Sequence, residues 1–463
     1  MTGYRCHGCF PPWGGFCKAC AGRSICHLPG MMRFIFLALL PGLLAPVFAA
    51  KPNIVLIMAD DLGYECVGAN GGASYQTPVL DSMAKEGMRF EHCYSQPLCT
   101  PSRVKLMTGI SNIRNYIKFG LLDPKATTFA QLLKKEGYAT CVVGKWQLLG
   151  GLEGPNNFGF DEYCLWQLNR RPSRFANPGL EVNGKQVDHD KGGYGPDVVS
   201  DYACEFIGRN KNKPFLVYYP MILTHCPFEP TPDSRDWDPK SKGSPTYKGN
   251  AKYFGDMVSY MDKIVGKVLR RLEDEGVREN TLVVFVGDNG TDKPVISRMN
   301  GREVAGAKGA MHDGGNRVPC LVSWPGTIPA GVVSREILDL SDFLPTFCEM
   351  SGASVPGGID GKSLLATLKG GKKKHRDWIH IWYSRSGSNR QAEQFVRNQR
   401  YKLYGDGRFF DVGKDVLEKS PLQMPLSEEE RRLRSLLQAG LDQYKDKRPA
   451  HLGKEKGKGK KKQ

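Results

Sequence analysis

Chemically reactive side chains follow four short apolar runs of the sequence, each typical of a buried strand. Acidic residues come directly after the first run, Asn53–Ala59, and an Asp-Asn pair follows the fourth, at 281–286. The second and third runs, at 139–143 and 215–222, are followed by a lysine and a histidine. Because functional groups collect beyond the carboxyl ends of strands in open α/β sheets, we expect these side chains to share one crevice. The six residues are Asp60, Asp61, Lys145, His225, Asp288 and Asn289.

The three carboxylates and the Asn289 amide oxygen form an oxygen-only ligand set, which suits Ca²⁺ or Mg²⁺ better than zinc. Without a cation, so many acids in one crevice would repel one another, and some would take up protons. An Asp-Asp pair after a strand can instead cap a helix, and Asp-Asn-Gly can form a tight turn. Since the two pairs end two strands of one predicted sheet, we favour a metal site.

A potential nucleophile, Cys99, lies between the first two strands and opens the segment Cys99-Thr100-Pro101-Ser102-Arg103. The early proline and the following Val104-Lys105-Leu106-Met107 predict a helix that begins here. A helix N-terminus with an arginine nearby can bind an anion. From these residues alone, a buried cysteine before a helix is the alternative interpretation.

The Cys-Thr-Pro-Ser-Arg segment, continued by Leu106-Met107-Thr108-Gly109, resembles the signature of the formylglycine-dependent sulfatases, arylsulfatase-like enzymes of the alkaline-phosphatase-like superfamily. Further motifs resemble those of the family in the same order, and the similarity extends from about Pro52 to Leu417. They are Asp60-Asp61-Leu62-Gly63, Gly144-Lys145-Trp146, Thr224-His225-Cys226-Pro227, Gly287-Asp288-Asn289-Gly290, Lys308-Gly309 and Gly314-Gly315-Asn316-Arg317-Val318-Pro319.

The resemblance implies a sulfuric ester hydrolase in which a maturation enzyme oxidises Cys99 to formylglycine. The hydrated aldehyde would attack sulfur and expel the alcohol, and loss of a second proton would release sulfate. Arg103 would orient the formylglycine, while Lys145 and Lys308 would neutralise the sulfuryl oxygens. His225 would act as general acid at the ester oxygen, with help from Lys308. The implied ligands of one Ca²⁺ are Asp60, Asp61, Asp288, Asn289 and the modified Cys99.

The sequence departs from the family's pattern directly after Trp146. The family usually has a histidine at the next position, commonly assigned as the base in sulfate elimination, whereas this chain has Gln147. An amide cannot take up a proton at neutral pH, although it can form a hydrogen bond. We therefore expect Gln147 to contact the formylglycine without acting as a base, and we expect the enzyme to be active.

Two other functions fit parts of the pattern. A phosphatase or phosphodiesterase of the same superfamily is one alternative, but such enzymes typically use Ser or Thr with two zinc ions and histidine-rich ligands. A catalytically impaired homologue that binds sulfated glycans is the other, suggested by Gln147 and the basic C-terminus. A decayed site should lose more than one group, whereas this chain keeps Cys99, Arg103, Lys145, His225 and Lys308.

The apolar runs alternate with helical segments, which predicts a large, mixed and mainly parallel sheet between helices. Two of these helical segments, 127–137 and 252–276, lead directly into a strand. Together with the resemblance, this predicts an alkaline-phosphatase-like α/β sandwich over residues 50–370. Aromatic-rich alternating runs then predict a C-terminal subdomain at 371–445, with a small antiparallel sheet and a last helix near 427–444.

Both ends of the chain differ from its body. The formal net charge is +17, but residues 447–463 contribute +7 and residues 1–33 contribute +4, so the body is only mildly basic. We predict a disordered basic tail at 446–463, and we expect no nucleic-acid partner. Residues 31–49 have the basic, apolar and small-residue regions of a signal peptide, which is too short to remain in a bilayer.

The signal-peptide pattern indicates export to a periplasmic or extracellular location. It should begin a chain, so we expect residues 1–30 to be a spurious extension and their Cys-x-x-Cys pairs not to form a zinc site. Nine cysteines after residue 50 have no framework spacing, which argues against a disulfide scaffold. Export favours a sulfated polysaccharide or oligosaccharide as substrate. Within the loop 166–194, Arg170, Arg171 and Arg174 could contact a second anionic group, although a solvated loop is the simpler interpretation.

Overall fold

The computed structural model describes residues 51–244 and 249–453. The expected extension at 1–30, the signal peptide at 31–49 and the tail from residue 454 onward lie outside the described residues. The first part of the predicted tail, 446–453, is described and includes the short helix Ala450–Gly453. Arg448 donates to the carbonyl oxygens of Ile113 and Tyr116 at 3.1 Å, which ties this segment to the body beyond residue 446.

Sixteen strands occur in the described residues. Ten of them form one mixed sheet in the order β12-β2-β11-β8-β1-β7-β3-β4-β5-β6, and four form a separate sheet in the order β13-β14-β15-β16. The strands are β1 (Asn53–Ala59), β2 (Met88–Tyr94), β3 (Ala139–Lys145), β4 (Glu162–Trp166), β5 (Gly179–Val182), β6 (Lys185–Asp188), β7 (Phe215–Pro220), β8 (Thr281–Gly287), β9 (Ile296–Met299), β10 (Arg302–Ala305), β11 (Cys320–Ser323), β12 (Val332–Asp339), β13 (Ile379–Tyr383), β14 (Glu393–Arg397), β15 (Tyr401–Tyr404) and β16 (Phe409–Asp411).

The centre of the large sheet, β8-β1-β7-β3-β4, is parallel throughout. The four predicted strands are all in this central part. Strand β3 is two residues longer than predicted, because its pairing with β4 continues to Lys145 opposite Trp166. The edges contain the antiparallel pairs, so the predicted mixed, mainly parallel sheet is confirmed.

Helices cover both faces of the large sheet. The helices are α1 (Pro78–Glu86), α2 (Cys99–Thr108), α3 (Asn112–Asn115), α4 (Phe129–Lys135), α5 (Gly154–Asn157), α6 (Gly195–Asn210), α7 (Phe254–Asp274), α8 (Asp313–Asn316), α9 (Phe343–Ser351), α10 (Leu365–Leu368), α11 (Glu428–Tyr444) and α12 (Ala450–Gly453). Shorter 3₁₀ helices span Tyr64–Cys66, Gly68–Asn70, Ala251–Tyr253, Arg278–Asn280, Leu340–Asp342 and Asn389–Gln391. Within residues 51–244 and 249–453, no helix combines the length and apolar character needed to span a membrane.

Alternate residues of β1 belong to two separate hydrophobic cores. Ile54, Leu56 and Met58 pack with side chains of α2, α4 and α9, whereas Val55 and Ile57 pack with side chains of α1, α6 and α7. This is the period of two that a strand buried on both faces requires. The predicted sandwich of helices around a sheet is therefore confirmed.

The four-stranded sheet that begins at Ile379 confirms the predicted antiparallel sheet near the C-terminus. One face packs against α11. The other face contacts the start of α8 and the residues just before it. The Lys402 ammonium donates to the carbonyl oxygen of Met311 at 2.6 Å, and Arg397 pairs with Asp313. All nine cysteines of the described residues are free.

Candidate active site

Strands β8, β1, β7 and β3 are neighbours in the sheet and run parallel, so their carboxyl ends lie side by side. The chain beyond β7 returns to β1, because Asp60 N–H donates to Leu223 O at 2.9 Å and Thr224 N–H donates to Asp60 O at 2.8 Å. This return brings His225 beside the residues that follow β1. The crevice predicted from the four strand ends is therefore present.

Three cationic side chains pair with the three carboxylates in this crevice. Lys145 Nζ lies 2.5 Å from Asp60 Oδ2, and Lys308 Nζ lies 2.5 Å from Asp61 Oδ2. The third pair joins Arg103 Nη2 to an Asp288 carboxylate oxygen at 3.2 Å. All three carboxylates are fully buried, so each of these pairs acts in a medium of low dielectric constant.

Two buried oxygen atoms of the crevice, Asp60 Oδ1 and Asn289 Oδ1, have no hydrogen-bond partner among the described residues. Leaving such an atom unpaired costs about 1–3 kcal/mol. Ligand atoms of Asp60, Cys99 and Asp288 all lie within 4.8 Å of one another, and those of Asp60, Asp61 and His225 do the same. These residues fit a hard divalent cation, which accepts several oxygen ligands at once.

Burial and charge act differently on the three carboxylates. Burial raises the pKa of Asp61 despite the nearby Lys308 ammonium, and burial together with the Asp60 charge raises the pKa of Asp288 well above its ordinary value. Burial acts on Asp60 too, but the surrounding positive charges, chiefly that of Lys145, hold the pKa of Asp60 below its usual range. A divalent cation bound here would keep all three ionised.

Cys99 is the first residue of α2, as predicted, and its side chain is buried in the crevice. Its Sγ lies 2.8 Å from Oε1 of Gln147. Burial raises the pKa of the Cys99 thiol, so the unmodified side chain is not an activated thiolate at neutral pH. One turn later in α2, Arg103 Nη1 donates to Lys145 O at 2.9 Å, which joins α2 to the end of β3.

The structure explains the residue type at two positions of the sequence motifs, Gly144 and Ser102. A Cβ atom at Gly144 would lie 2.1 Å from Pro220 O, so glycine is needed where β3 approaches β7 just before Lys145. Ser102 Oγ donates to the carbonyl oxygen of Asp288, which fixes α2 to the end of β8. Sequence reasoning gave Ser102 no role, although it lies within the signature pentapeptide.

His225 lies at the rim of the carboxylate cluster, with Nε2 3.6 Å from Asp61 Oδ2. Burial and the charge of Lys145 hold the pKa of His225 well below its ordinary value, so the ring is neutral at pH 7. The sequence predicts that Arg174 lies in a solvated loop or contacts a second anionic group. The structure instead buries it, with its guanidinium 3.9 Å from the Trp166 ring centre and Nη1 3.0 Å from His225 Nδ1.

The structure brings every residue of the sequence-predicted site into this one crevice. Asn289 Nδ2 donates to Asp61 Oδ1 at 2.8 Å, and Asp61 N–H donates to Asp288 Oδ1 at 3.0 Å, so the two acidic pairs are joined directly. The assembled set is Asp60, Asp61, Cys99, Arg103, Lys145, Gln147, His225, Asp288, Asn289 and Lys308.

The ten-stranded sandwich is an alkaline-phosphatase-like fold, and the crevice lies at the carboxyl ends of its parallel strands. The sulfatase family model matches residues 52–353, more than half of the chain, and the chain belongs to the sulfatase family. Its members are sulfuric ester hydrolases, which confirms the predicted enzyme class. A second model, described as N-sulphoglucosamine sulphohydrolase, C-terminal, matches residues 307–425.

Individual relatives are similar over most of their length. Arylsulfatase G of Rattus norvegicus is 31% identical over an alignment that covers 87% of this chain and 85% of the relative. N-acetylgalactosamine-6-sulfatase of Canis lupus familiaris is 32% identical, with 74% of this chain and 71% of the relative covered. A crystal structure of Ps i-CgsB in complex with k-i-k-neocarrahexaose is 29% identical, with a TM-score of 0.72 and coverage of 86% and 94%.

Proposed function

We propose that this enzyme hydrolyses a sulfate ester on a carbohydrate, with formylglycine at position 99 and one Ca²⁺ in the carboxylate crevice. The observation that carries this proposal is the buried oxygen cluster around the first residue of α2. It combines two oxygen atoms that lack a partner among the described residues, three paired cations and Cys99 within one crevice.

The proposed ligands of Ca²⁺ are side chains of Asp60, Asp61, Asp288 and Asn289 together with the modified Cys99. When bound, the cation would supply Lewis-acid polarisation of the sulfate, and the formylglycine hydrate would supply a nucleophilic hydroxyl. Two features support Ca²⁺ in place of the zinc pair of the phosphatase alternative. The ligand set is oxygen-only, and Asp60 Oδ1 and Asn289 Oδ1 lack a hydrogen-bond partner among the described residues.

The remaining residues would bind and orient the sulfate. Arg103 is held by Lys145 O and by Asp288, so it can fix the orientation of the side chain at position 99 one turn earlier in α2. The ammonium groups of Lys145 and Lys308 would contact the sulfuryl oxygens and stabilise negative charge as it develops there. His225 would contact the departing alcohol oxygen through Nε2, which lies beside the carboxylate cluster. Because the ring is neutral in the free site, it would act as general acid after the negatively charged sulfate ester favours its protonation.

A carbohydrate substrate is supported by two of the similar proteins. One is named N-acetylgalactosamine-6-sulfatase, and the other was solved with an oligosaccharide, k-i-k-neocarrahexaose. The signal-peptide pattern of residues 31–49 supports export to the periplasm or the exterior, where such substrates occur. A formylglycine-generating enzyme is the partner that maturation would require.

The proposal is tested with protein produced alongside a formylglycine-generating enzyme, after the mass of the position 99 peptide verifies the modification. We expect equal amounts of alcohol and sulfate from 4-nitrophenyl sulfate and from at least one member of a panel of sulfated sugars. Removal of Ca²⁺ with a chelator should stop both, and added Ca²⁺ should restore them. Faster cleavage of the matching phosphate esters would favour the phosphatase alternative, and no hydrolysis by modified protein would refute the proposal.

Gln147 keeps the impaired-enzyme alternative open, because its amide oxygen lies 2.8 Å from Cys99 Sγ, in the place that the resemblance assigns to a base. A lost general base costs about 10²–10⁴-fold in rate. We predict that the parent turns over steadily and that Gln147→His raises kcat by much less than 100-fold.

The measurement is a time course of alcohol and sulfate release, with Gln423→His, which adds a histidine at an exposed position, as the matched control. The natural site would be impaired if the parent released a single burst of alcohol without sulfate. Steady release of both products by Gln147→His, but not by Gln423→His, would complete that demonstration.

A further inference from the structure

A cavity of about 230 Å³ lies beside the proposed nucleophile. Gln147 is part of its wall, and the Oε1 atom of the same residue is 2.8 Å from Cys99 Sγ. The lining also includes the chain that leaves β4, with Gln167, Asn169 and Arg171. A group attached to the ester oxygen must extend from position 99 into neighbouring space, and this cavity provides that space.

The wall of the cavity has the chemistry of a carbohydrate site. The amides of Gln167 and Asn169 can bond hydroxyl groups, and the partly exposed Phe119 ring offers an apolar surface to a sugar face. No acidic residue is among the described residues that line it, whereas two arginines are. Its volume is below the roughly 300 Å³ at which sites for drug-sized ligands begin, so it suits about one sugar unit.

The three arginines of this loop have different surroundings. Arg170 pairs with Glu181 at 3.0 Å and with Asp188 at 2.6 Å, so two carboxylates balance its charge. Arg174 is buried against Trp166 and does not line the cavity. Arg171 both lines the cavity and keeps an exposed side chain.

A neutral side chain orients Arg171. With the Gln167 amide oxygen turned toward it, Nε and Nη2 of Arg171 both lie 3.1 Å from that oxygen. Two bonds from one edge of a planar guanidinium favour one direction of the group. Gln167 is thereby a positioning residue for Arg171.

We propose that Arg171 binds a second anionic group on the sugar unit whose sulfate ester is cleaved. This inference rests on the proposed function and narrows its substrate class to sugars that carry an additional sulfate or carboxylate. Both groups accept paired bonds from a guanidinium, and both would experience the positive charge at the cavity wall.

The test compares substrates that share one scissile sulfate ester. They are a sugar with this sulfate alone, the same sugar with a second sulfate, the same sugar with a carboxylate, and 4-nitrophenyl sulfate. Charge-assisted hydrogen bonds of ordinary strength predict that Arg171→Ala lowers kcat/KM for the doubly charged sugars about 10- to 100-fold, mainly through KM. For the two singly charged substrates, kcat/KM should change by less than about threefold.

Lys118→Ala is the matched control, because it removes an exposed positive charge next to Phe119 but outside the cavity wall. Arg171→Lys should recover part of the preference for the second anion. The doubly charged sugar whose kcat/KM falls most in Arg171→Ala identifies whether sulfate or carboxylate is the natural second group. Equal loss on all four substrates would assign Arg171 a structural role, and unchanged kinetics would also overturn the inference.

Binding separates this inference from the proposed function. In a Cys99→Ala background, the Kd of each sugar can be measured by calorimetry without turnover, and Arg171→Ala should weaken only the doubly charged sugars. A parent that hydrolyses nothing but still shows this binding difference would refute the proposed function and keep the inference. Equal Kd values for the singly and doubly charged sugars would refute the inference alone.

Discussion

Replacement of Cys99 by alanine is expected to lower sulfate ester hydrolysis by about 10⁴-fold or more, the size of effect seen when a covalent nucleophile is removed. Alanine offers no group that could be oxidised to an aldehyde, so the proposed nucleophile is lost while the surrounding cations remain. The change should spare the fold, because the thiol is small and its hydrogen bond to Gln147 is the one seen among the described residues. Initial rates with 4-nitrophenyl sulfate and the melting temperature measure the two effects.

A second buried thiol provides the control for Cys99→Ala. Cys141 lies in β3 and is fully buried, so Cys141→Ala removes an equivalent group away from the crevice and should keep its activity. The mass of the position 99 peptide must also differ from that of a plain cysteine in the active parent. Activity retained in Cys99→Ala, or an active native protein with an unmodified thiol, would contradict the proposed nucleophile.

The central strands could be predicted because their burial is nearly complete. Strands β1 and β8 are buried at every residue, so each appears as an unbroken apolar run between polar residues. The chemistry at their ends follows from parallel pairing, which aligns the ends of neighbouring strands. The sequence did not specify which strands are neighbours, so the prediction assumed that these four lie side by side. The observed order β8-β1-β7-β3 agrees with that assumption.

The edge strands could not be predicted in the same way. Strand β2 contains Arg89, Glu91 and His92 and is only partly buried, so it has no clear apolar run. Its partners β11 and β12 come more than 200 residues later, and no local pattern specifies such pairing. The position of Lys308 is similar: the strand before it, β10, is mostly exposed and pairs only with β9 outside the large sheet, so only the resemblance to the family identified this lysine.

Arg174 illustrates a limit of composition as evidence. The loop around it is rich in Arg, Asn and Gly, which favours exposure, yet Trp166 and His225 enclose its guanidinium. The contact with His225 joins residues 51 positions apart, so it depends on how β4 and β7 are placed in the sheet. Ser102 was missed for the same reason, since its partner Asp288 is 186 positions away.

The charges of the crevice can be counted now that their partners are known. Asp60, Asp61 and Asp288 are balanced by the three cations that pair with them, namely Arg103, Lys145 and Lys308. A bound Ca²⁺ would therefore leave the site with two positive charges. A sulfate monoester carries one negative charge and inorganic sulfate carries two, so the site complements the charge that develops as the ester bond breaks.

Lys308→Ala is accordingly predicted to lower kcat by about 10²–10³-fold, the usual cost of losing one group that stabilises developing charge. Its Nζ lies 2.5 Å from Asp61 Oδ2, so the substitution removes a positive charge from beside a proposed Ca²⁺ ligand. Binding of Ca²⁺ should not weaken, because the ligands remain and a competing cation is gone. We expect kcat to fall more than KM rises, since the charge is needed mainly in the transition state.

Two readouts distinguish this catalytic role from a structural one. The increase in melting temperature on addition of Ca²⁺ should persist in Lys308→Ala, and Lys308→Arg should restore part of kcat by keeping the positive charge. Lys293→Ala is the matched control, because Lys293 is exposed. Like Lys308, it lies in the part of the chain that joins β8 to β11. If Lys308→Ala lost the Ca²⁺-dependent stabilisation together with its activity, the lysine would be needed to build the metal site, and the charge-balance account of its role would fail.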